Sequence, residues 1–124
     1  MNLVDSSGWL EYFTSGFNAK KFSPLLNDAG SLIVSTISIY EVFKVILRER
    51  GENPALQAIV AMRKGMVADV TSELAIAASK LSLQYGLAMA DSLILATAQQ
   101  YEATIWTQDA DFDGLPGVKY FPKA

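Results

Sequence analysis

Five acids in this chain stand where they can do chemistry together: Asp5, Glu41, Asp91, Asp109 and Asp111. The chain has no histidine and no cysteine. It therefore offers no imidazole base, no thiolate nucleophile and no soft zinc site. What remains is the chemistry of carboxylates, hydroxyls, Lys and Arg, or of a hard cation that prefers oxygen. Each acid also has a plain structural reading. Asp5, before Ser6-Ser7-Gly8, can cap a helix. Glu41 can close an S-x-x-E capping box opened by Ser38. Asp91 can cap the helix it opens, and Asp109 can belong to a polar turn. As a group they read differently, because each lies at a strand end or a helix start and all can converge on one sheet edge. Clustered carboxylates repel one another and are costly to bury unpaired, so a divalent cation is their natural compensation. Mg²⁺ takes oxygen ligands, keeps several waters and recruits phosphates. A site of that kind activates water and stabilises charge on a phosphoryl group. A calcium loop is a poorer account of Asp109-Ala110-Asp111-Phe112-Asp113-Gly114. Its twelfth position falls on Tyr120 rather than a bidentate Glu, and the preceding segment is strand-like rather than helical.

The elements that must position these acids alternate along the chain. Asn2–Val4 is a short apolar strand running into Asp5. Ser7–Phe13 and Asn18–Asn27 read as short helices broken around Ser15-Gly16. Ser31–Ser35 has strand composition. Ile39–Arg50 is a long helix started by the Ser38/Glu41 box and stopped by Gly51, and Pro54 sits in the first turn of a helix running to about Lys64. Met66–Val70 is a strand. Glu73–Tyr85 is amphipathic, with Leu74, Ala77, Ala78, Leu81 and Tyr85 on one face and Gly86 as its stop. Asp91–Tyr101 is apolar nearly all round and hence a buried helix. Thr104–Thr107 and Val118–Phe121 are the last strands. Such alternation predicts a parallel α/β sheet covered on both faces. Ligands of these sheets bind beyond the carboxyl ends of the strands, where the strand order reverses. Asp5 and the Asp109/Asp111 pair follow two strands and belong at that edge.

The length of 124 residues suits one compact domain, residues 1–124. The absence of disulfides, of a basic leader at the N-terminus and of any membrane-length apolar run leads us to expect a soluble, cytoplasmic protein with no membrane association. The net charge of −3 is a poor sign of nucleic-acid binding taken as a sum. Set aside the five acids above, and the rest of the chain carries more basic than acidic side chains, a mildly positive body around an acidic pit.

Four stretches carry a resemblance to a known family: Val4-Asp5-Ser6-Ser7, Ser38-Ile39-Tyr40-Glu41-Val42, Ala90-Asp91-Ser92-Leu93-Ile94-Leu95-Ala96-Thr97-Ala98 and Trp106-Thr107-Gln108-Asp109-Ala110-Asp111-Phe112. In their order they resemble the successive acidic motifs of PIN domains, and they are most similar to those of the VapC-type toxins. The resemblance implies a three-layer α/β/α sandwich around a parallel sheet of four or five strands. It implies a Mg²⁺- or Mn²⁺-dependent endoribonuclease, the toxin of a toxin–antitoxin pair, often dimeric and restrained by a cognate antitoxin protein. By match, Asp5, Glu41, Asp91 and Asp109 are the acids of the site, with Asp5, Asp91 and Asp109 as metal ligands. Thr107 orients the site through its hydroxyl, Ser7 hydrogen-bonds Asp5, and Asp111 is a fifth, supporting acid. The lack of histidine suits hydrolysis of RNA by a metal-activated water rather than attack by the ribose 2′-hydroxyl.

Two other functions are compatible with an acidic α/β chain. One is a phospho-accepting, receiver-like signalling domain, with Asp69 as acceptor and Thr107 as switch hydroxyl. It calls for a second acid beside Asp5 and a Lys at the end of the last strand. The chain has Val4-Asp5-Ser6 and a Lys119 that comes too early, and Glu41 and Asp91 are left without a role. The other is a non-catalytic binding module in which the acids are caps. Lys44 and Arg48 share a helix face with Glu41 and read more readily as solvated ion pairs than as phosphate contacts. Trp9, Phe13 and Phe17 can form either a core or a groove for the antitoxin.

Overall fold

A computed structural model describes residues 1–124. Five strands, β1 (Asn2–Val4), β2 (Leu32–Ser35), β3 (Met66–Ala68), β4 (Thr104–Thr107) and β5 (Val118–Tyr120), form one sheet in the order β3-β2-β1-β4-β5, and every neighbouring pair is parallel. The connections are helical: α1 (Ser6–Phe13), α2 (Ala19–Leu26), α3 (Thr36–Arg50), α4 (Glu52–Met62), α5 (Ser72–Tyr85) and α6 (Met89–Gln100). Parallel strands need long crossovers, which is why helices intervene wherever the chain has room.

The pleat divides the core into two layers. Leu3, Ile33 and Ile105 point to one face and are covered by α5 and α6 through Leu74, Ala78, Leu81, Ile94 and Leu95. Val4, Leu32 and Val34 point to the other and meet Trp9, Phe22, Val42, Ile46, Ala58 and Met62 of α1 to α4. This is the α/β/α sandwich with five parallel strands. In α6 every residue from Ser92 to Ala98 is buried, as its all-round apolar character requires. No single helix is long and apolar enough to cross a membrane.

Several local readings need correction. The long helix starts at Thr36, three residues earlier than Ile39, and Ser35 caps it by accepting the Ile37 N–H at 3.2 Å. The Ser38/Glu41 capping box does not form: Ser38 is buried inside the helix with its hydroxyl unpaired, and Glu41 faces another partner. The cause is the serine closing β2, which offers a cap as soon as the strand ends. Strand β3 stops at Ala68, short of Val70. Helix α6 begins at Met89 with Ala88 at its cap position, so Asp91 lies within the first turn and caps nothing. On α5, Leu74, Ala78 and Leu81 are buried but Ala77 is exposed. Of the three aromatics weighed as a groove, Trp9 is buried and stacks on a half-buried Phe13, whereas Phe17 is exposed.

Candidate active site

The strand order reverses between β1 and β4, since β2 and β3 lie on one side of β1, and β4 and β5 on the other. The crevice beyond those two strand ends is the expected binding position in a parallel sheet. Asp5 follows β1 directly, Thr107 ends β4, and Asp109 follows it. Helices α3 and α6 contribute Glu41 and Asp91 from above. Asp5, Ser6, Ser7, Leu10, Glu41, Asp91, Ile94 and Asp109 line one pocket of about 200 Å³. Larger hollows run along α5 and α6, but no cluster of acids converges on them.

Asp5 is both cap and site residue. Its Oδ1 accepts from the Gly8 N–H (3.2 Å) and from Ser7 Oγ (2.8 Å), and its Oδ2 accepts from Thr107 Oγ1 (2.8 Å). Gly8 permits this geometry, because a Cβ there would stand 2.8 Å from Phe22 Cε1 and would also collide with Val4. Thr107 in turn accepts the Asp109 N–H at 2.9 Å, and Asp109 Oδ1 accepts the Asp111 N–H at 2.9 Å. The two acids after β4 are thus keyed to the acid after β1 by one threonine hydroxyl.

Burial pushes the Asp5 carboxyl up to about 6, against the lowering effect of its hydrogen bonds to Ser7, Thr107 and Gly8. Asp91 is likewise raised to about 6, first by burial and then by the negative charges of Asp109, Asp111, Glu41 and Asp5. One oxygen from each of Asp91, Asp109 and Asp111 lies within 4.8 Å of the others. The tightest group is therefore Asp91, Asp109 and Asp111, whereas the set expected from the motifs was Asp5, Asp91 and Asp109. Asp111 is exposed on the 3-10 turn Ala110–Phe112, while Asp5 is buried with both its oxygens accepting hydrogen bonds.

Ser6 was not picked out in the sequence. Its hydroxyl donates to Glu41 Oε1 at 2.6 Å. A serine directly after Asp5 was the available signal, but its partner is 35 residues away. Lys44 and Arg48 are engaged elsewhere: Lys44 sits over the Tyr40 ring and Arg48 pairs with Glu49. That pair is the one salt bridge of the molecule, so none of the five acids has a basic partner. An all-oxygen donor set, crowded and without counter-charge, fits Mg²⁺ or Mn²⁺. Asp69 lies beyond β3, at the sheet edge two strands from β1, and is not part of the pocket, which removes the basis of a phospho-acceptor role for it.

Among solved structures the fold is matched by a toxin–antitoxin complex from Klebsiella pneumoniae, at TM-score 0.84 and 24% identity over 100% of both chains. VapC20 of Mycobacterium tuberculosis, a sarcin–ricin loop-cleaving toxin, matches at TM-score 0.80 and 19% identity over 98% of this chain and 100% of that one. A DNA-bound VapBC from Salmonella typhimurium matches at 0.75 and 14% over 98% of each. No curated protein matches the sequence. At these identities the neighbours establish the shared fold. The sequence itself matches the family model described as PIN domain over residues 3–118, from the first strand into the last and across every acid of the pocket, so this chain belongs to the PIN domain family.

Proposed function

We propose that residues 1–124 form a single PIN domain that acts as a metal-dependent endoribonuclease, the toxin of a toxin–antitoxin pair. The observation that carries this reading is the convergence of Asp91, Asp109 and Asp111 within 4.8 Å, beside Asp5 and Glu41, with no basic side chain paired to any of them. Solved relatives of the same fold that are described as a toxin–antitoxin complex and as an RNA-loop-cleaving toxin support the toxin role. The partners expected are RNA as substrate, a cognate antitoxin protein and a second copy of the chain, in the cytoplasm.

In this reading Asp5, Asp91 and Asp109, with Asp111 beside them, hold Mg²⁺ or Mn²⁺. When bound, the ion supplies activation of water and neutralisation of charge on the phosphoryl oxygens. Ser7, Thr107 and the Gly8 N–H fix the Asp5 carboxylate, so little reorganisation is needed when substrate arrives. Ser6 holds Glu41 by one oxygen and leaves the other, Oε2, to accept a proton from the attacking water. Water as nucleophile would form the new bond to phosphorus as the bond to the 3′-oxygen breaks, and the departing oxygen would take a proton from solvent, leaving a 5′-phosphate and a 3′-hydroxyl.

Incubation with total RNA in Mg²⁺ or in EDTA, followed by ligation of adaptors that require a 5′-phosphate, tests this directly. Cleavage in Mg²⁺, none in EDTA and none with Asp91→Asn are expected. Full activity in EDTA, or 2′,3′-cyclic phosphate as the main product, would overturn the mechanism.

A further inference from the structure

Behind the pocket lies a second polar chain, built on two buried amide side chains. Asn18, at the cap position of α2, has no exposed surface, and Gln108, after β4, has almost none. Asn18 Nδ2 donates to Gln108 Oε1 at 2.9 Å and to the Pro122 carbonyl at 3.0 Å. Gln108 Nε2 donates to the Ser7 carbonyl at 3.5 Å, and the Gln108 backbone N–H donates to Ser7 Oγ at 3.3 Å. Ser7 Oγ spends its own proton on Asp5 Oδ1. Two buried amides thus link the C-terminal segment to the Ser7 carbonyl, and the backbone of the second meets the Ser7 hydroxyl, which holds the most deeply buried acid of the pocket.

Stability is a poor account of Asn18. Its Oδ1 is buried without a partner. A buried amide that satisfies only part of its capacity costs more than an apolar side chain of similar size. The turn that delivers Asn18 is itself tied down: the Asn18 backbone N–H donates to Glu11 Oε2 at 3.0 Å. Neither amide lines the pocket, so neither is placed to touch substrate.

We infer that Asn18 and Gln108 are positioning residues: the Gln108 side-chain amide, held by Asn18, ties the Ser7 carbonyl while the Gln108 backbone N–H meets the Ser7 hydroxyl, and through Ser7 they set the orientation of Asp5 toward a divalent cation. The inference rests on the metal-site reading proposed above. Outer-shell partners of this kind alter metal affinity or turnover by about tenfold or more when removed. Because the two amides act in series, removing both should cost no more than removing one.

The test uses Asn18→Ala, the volume-preserving Gln108→Met and the double variant, each assayed well below its melting temperature. The binding readout is Mn²⁺ titration followed by the electron paramagnetic resonance of the free ion, which requires no RNA. A loss of Mn²⁺ affinity of about tenfold in each single variant, and no further loss in the double, is expected. In RNA cleavage, kcat should fall while KM stays within about twofold, since neither residue meets substrate. Folded Gln108→Met with wild-type Mn²⁺ affinity would overturn the inference, as would losses that multiply in the double variant. A wild-type protein that binds Mn²⁺ and responds to these substitutions, yet leaves RNA intact, would support the bridge and refute the ribonuclease reading. Failure of the wild-type protein to bind Mn²⁺ would refute both.

Discussion

Asp5 and Asp91 are both raised to about 6, and their surroundings make opposite predictions for their amide replacements. Asp91 accepts no hydrogen bond from the protein and stands among four other acids, so Asp91→Asn relieves repulsion without breaking anything. We expect it to stabilise the metal-free protein at neutral pH by about 1 kcal/mol, a figure reduced for its partial exposure, and to raise Tm by a few degrees. Near pH 4, where Asp91 is protonated in any case, the gain should vanish; melts in EDTA at the two pH values measure it, and a clear loss at neutral pH would make Asp91 a structural residue. Asp5→Asn should destabilise instead. Both Asp5 oxygens receive donors, and an amide turns one of them into a donor facing a donor. Ser6 is tested by its own deletion. Ser6→Ala releases Glu41 and should lower kcat by about tenfold while leaving Mn²⁺ affinity near the wild-type value. A parallel fall in affinity would mean that Glu41 is a ligand, not the proton acceptor.

Helix α3 shows how an element delivers its residue. It starts at Thr36, capped by Ser35, rather than at Ile39, and carries Glu41 in its second turn, within reach of Ser6. Ser35→Ala removes a working cap and should cost about 1 kcal/mol. Ser38→Ala removes a buried, unpaired hydroxyl and should be neutral or slightly stabilising. Denaturant midpoints of the two variants decide between these starts, and the reverse ranking would restore the capping box. The same logic applies to α1, which sits close enough to β1 and α2 to point the Gly8 N–H at Asp5. Gly8→Ala should cost about 1 to 3 kcal/mol by overpacking against Val4 and Phe22.

For the whole molecule, these acids make stability depend on pH in a set direction. Asp5 and Asp91 bind protons more tightly folded than unfolded, between the ordinary value of 3.8 and about 6. The folded state therefore holds the extra protons in that window, and stability of the metal-free protein falls as pH rises through it, then levels off. A cation that binds only the folded state reverses this at neutral pH, where the carboxylates are free, and does little near pH 4, where protons compete. Melts with EDTA and with Mn²⁺ across this range should diverge as pH increases. Curves that stay parallel would mean that the acids do not share an ion.

Much of the site was legible from local chemistry. Strand composition ending in Asp5, the TIWT strand ending at Thr107 and the lack of histidine and cysteine pointed to an oxygen-lined site at one sheet edge. Parallel strands with buried faces are continuous apolar runs, and such runs can be read from their neighbours alone. The alternation of elements likewise implied a sheet with both faces covered, and the Ser7–Asp5 bond lies within two residues. Only the tertiary structure decided which acids meet. It drew Asp111 into the closest group in place of Asp5, joined Ser6 to Glu41, and ran the Asn18–Gln108 bridge behind Ser7. The Ser6–Glu41 contact and the bridge to Ser7 join residues 35 to 101 positions apart, and their geometry depends on strand order and on the turn at which a helix begins. Ser35 and Ser38 make the reason plain: both are serines within one turn of the same helix start, and what separates a cap from a buried hydroxyl is which of them the end of β2 leaves facing the free N–H groups.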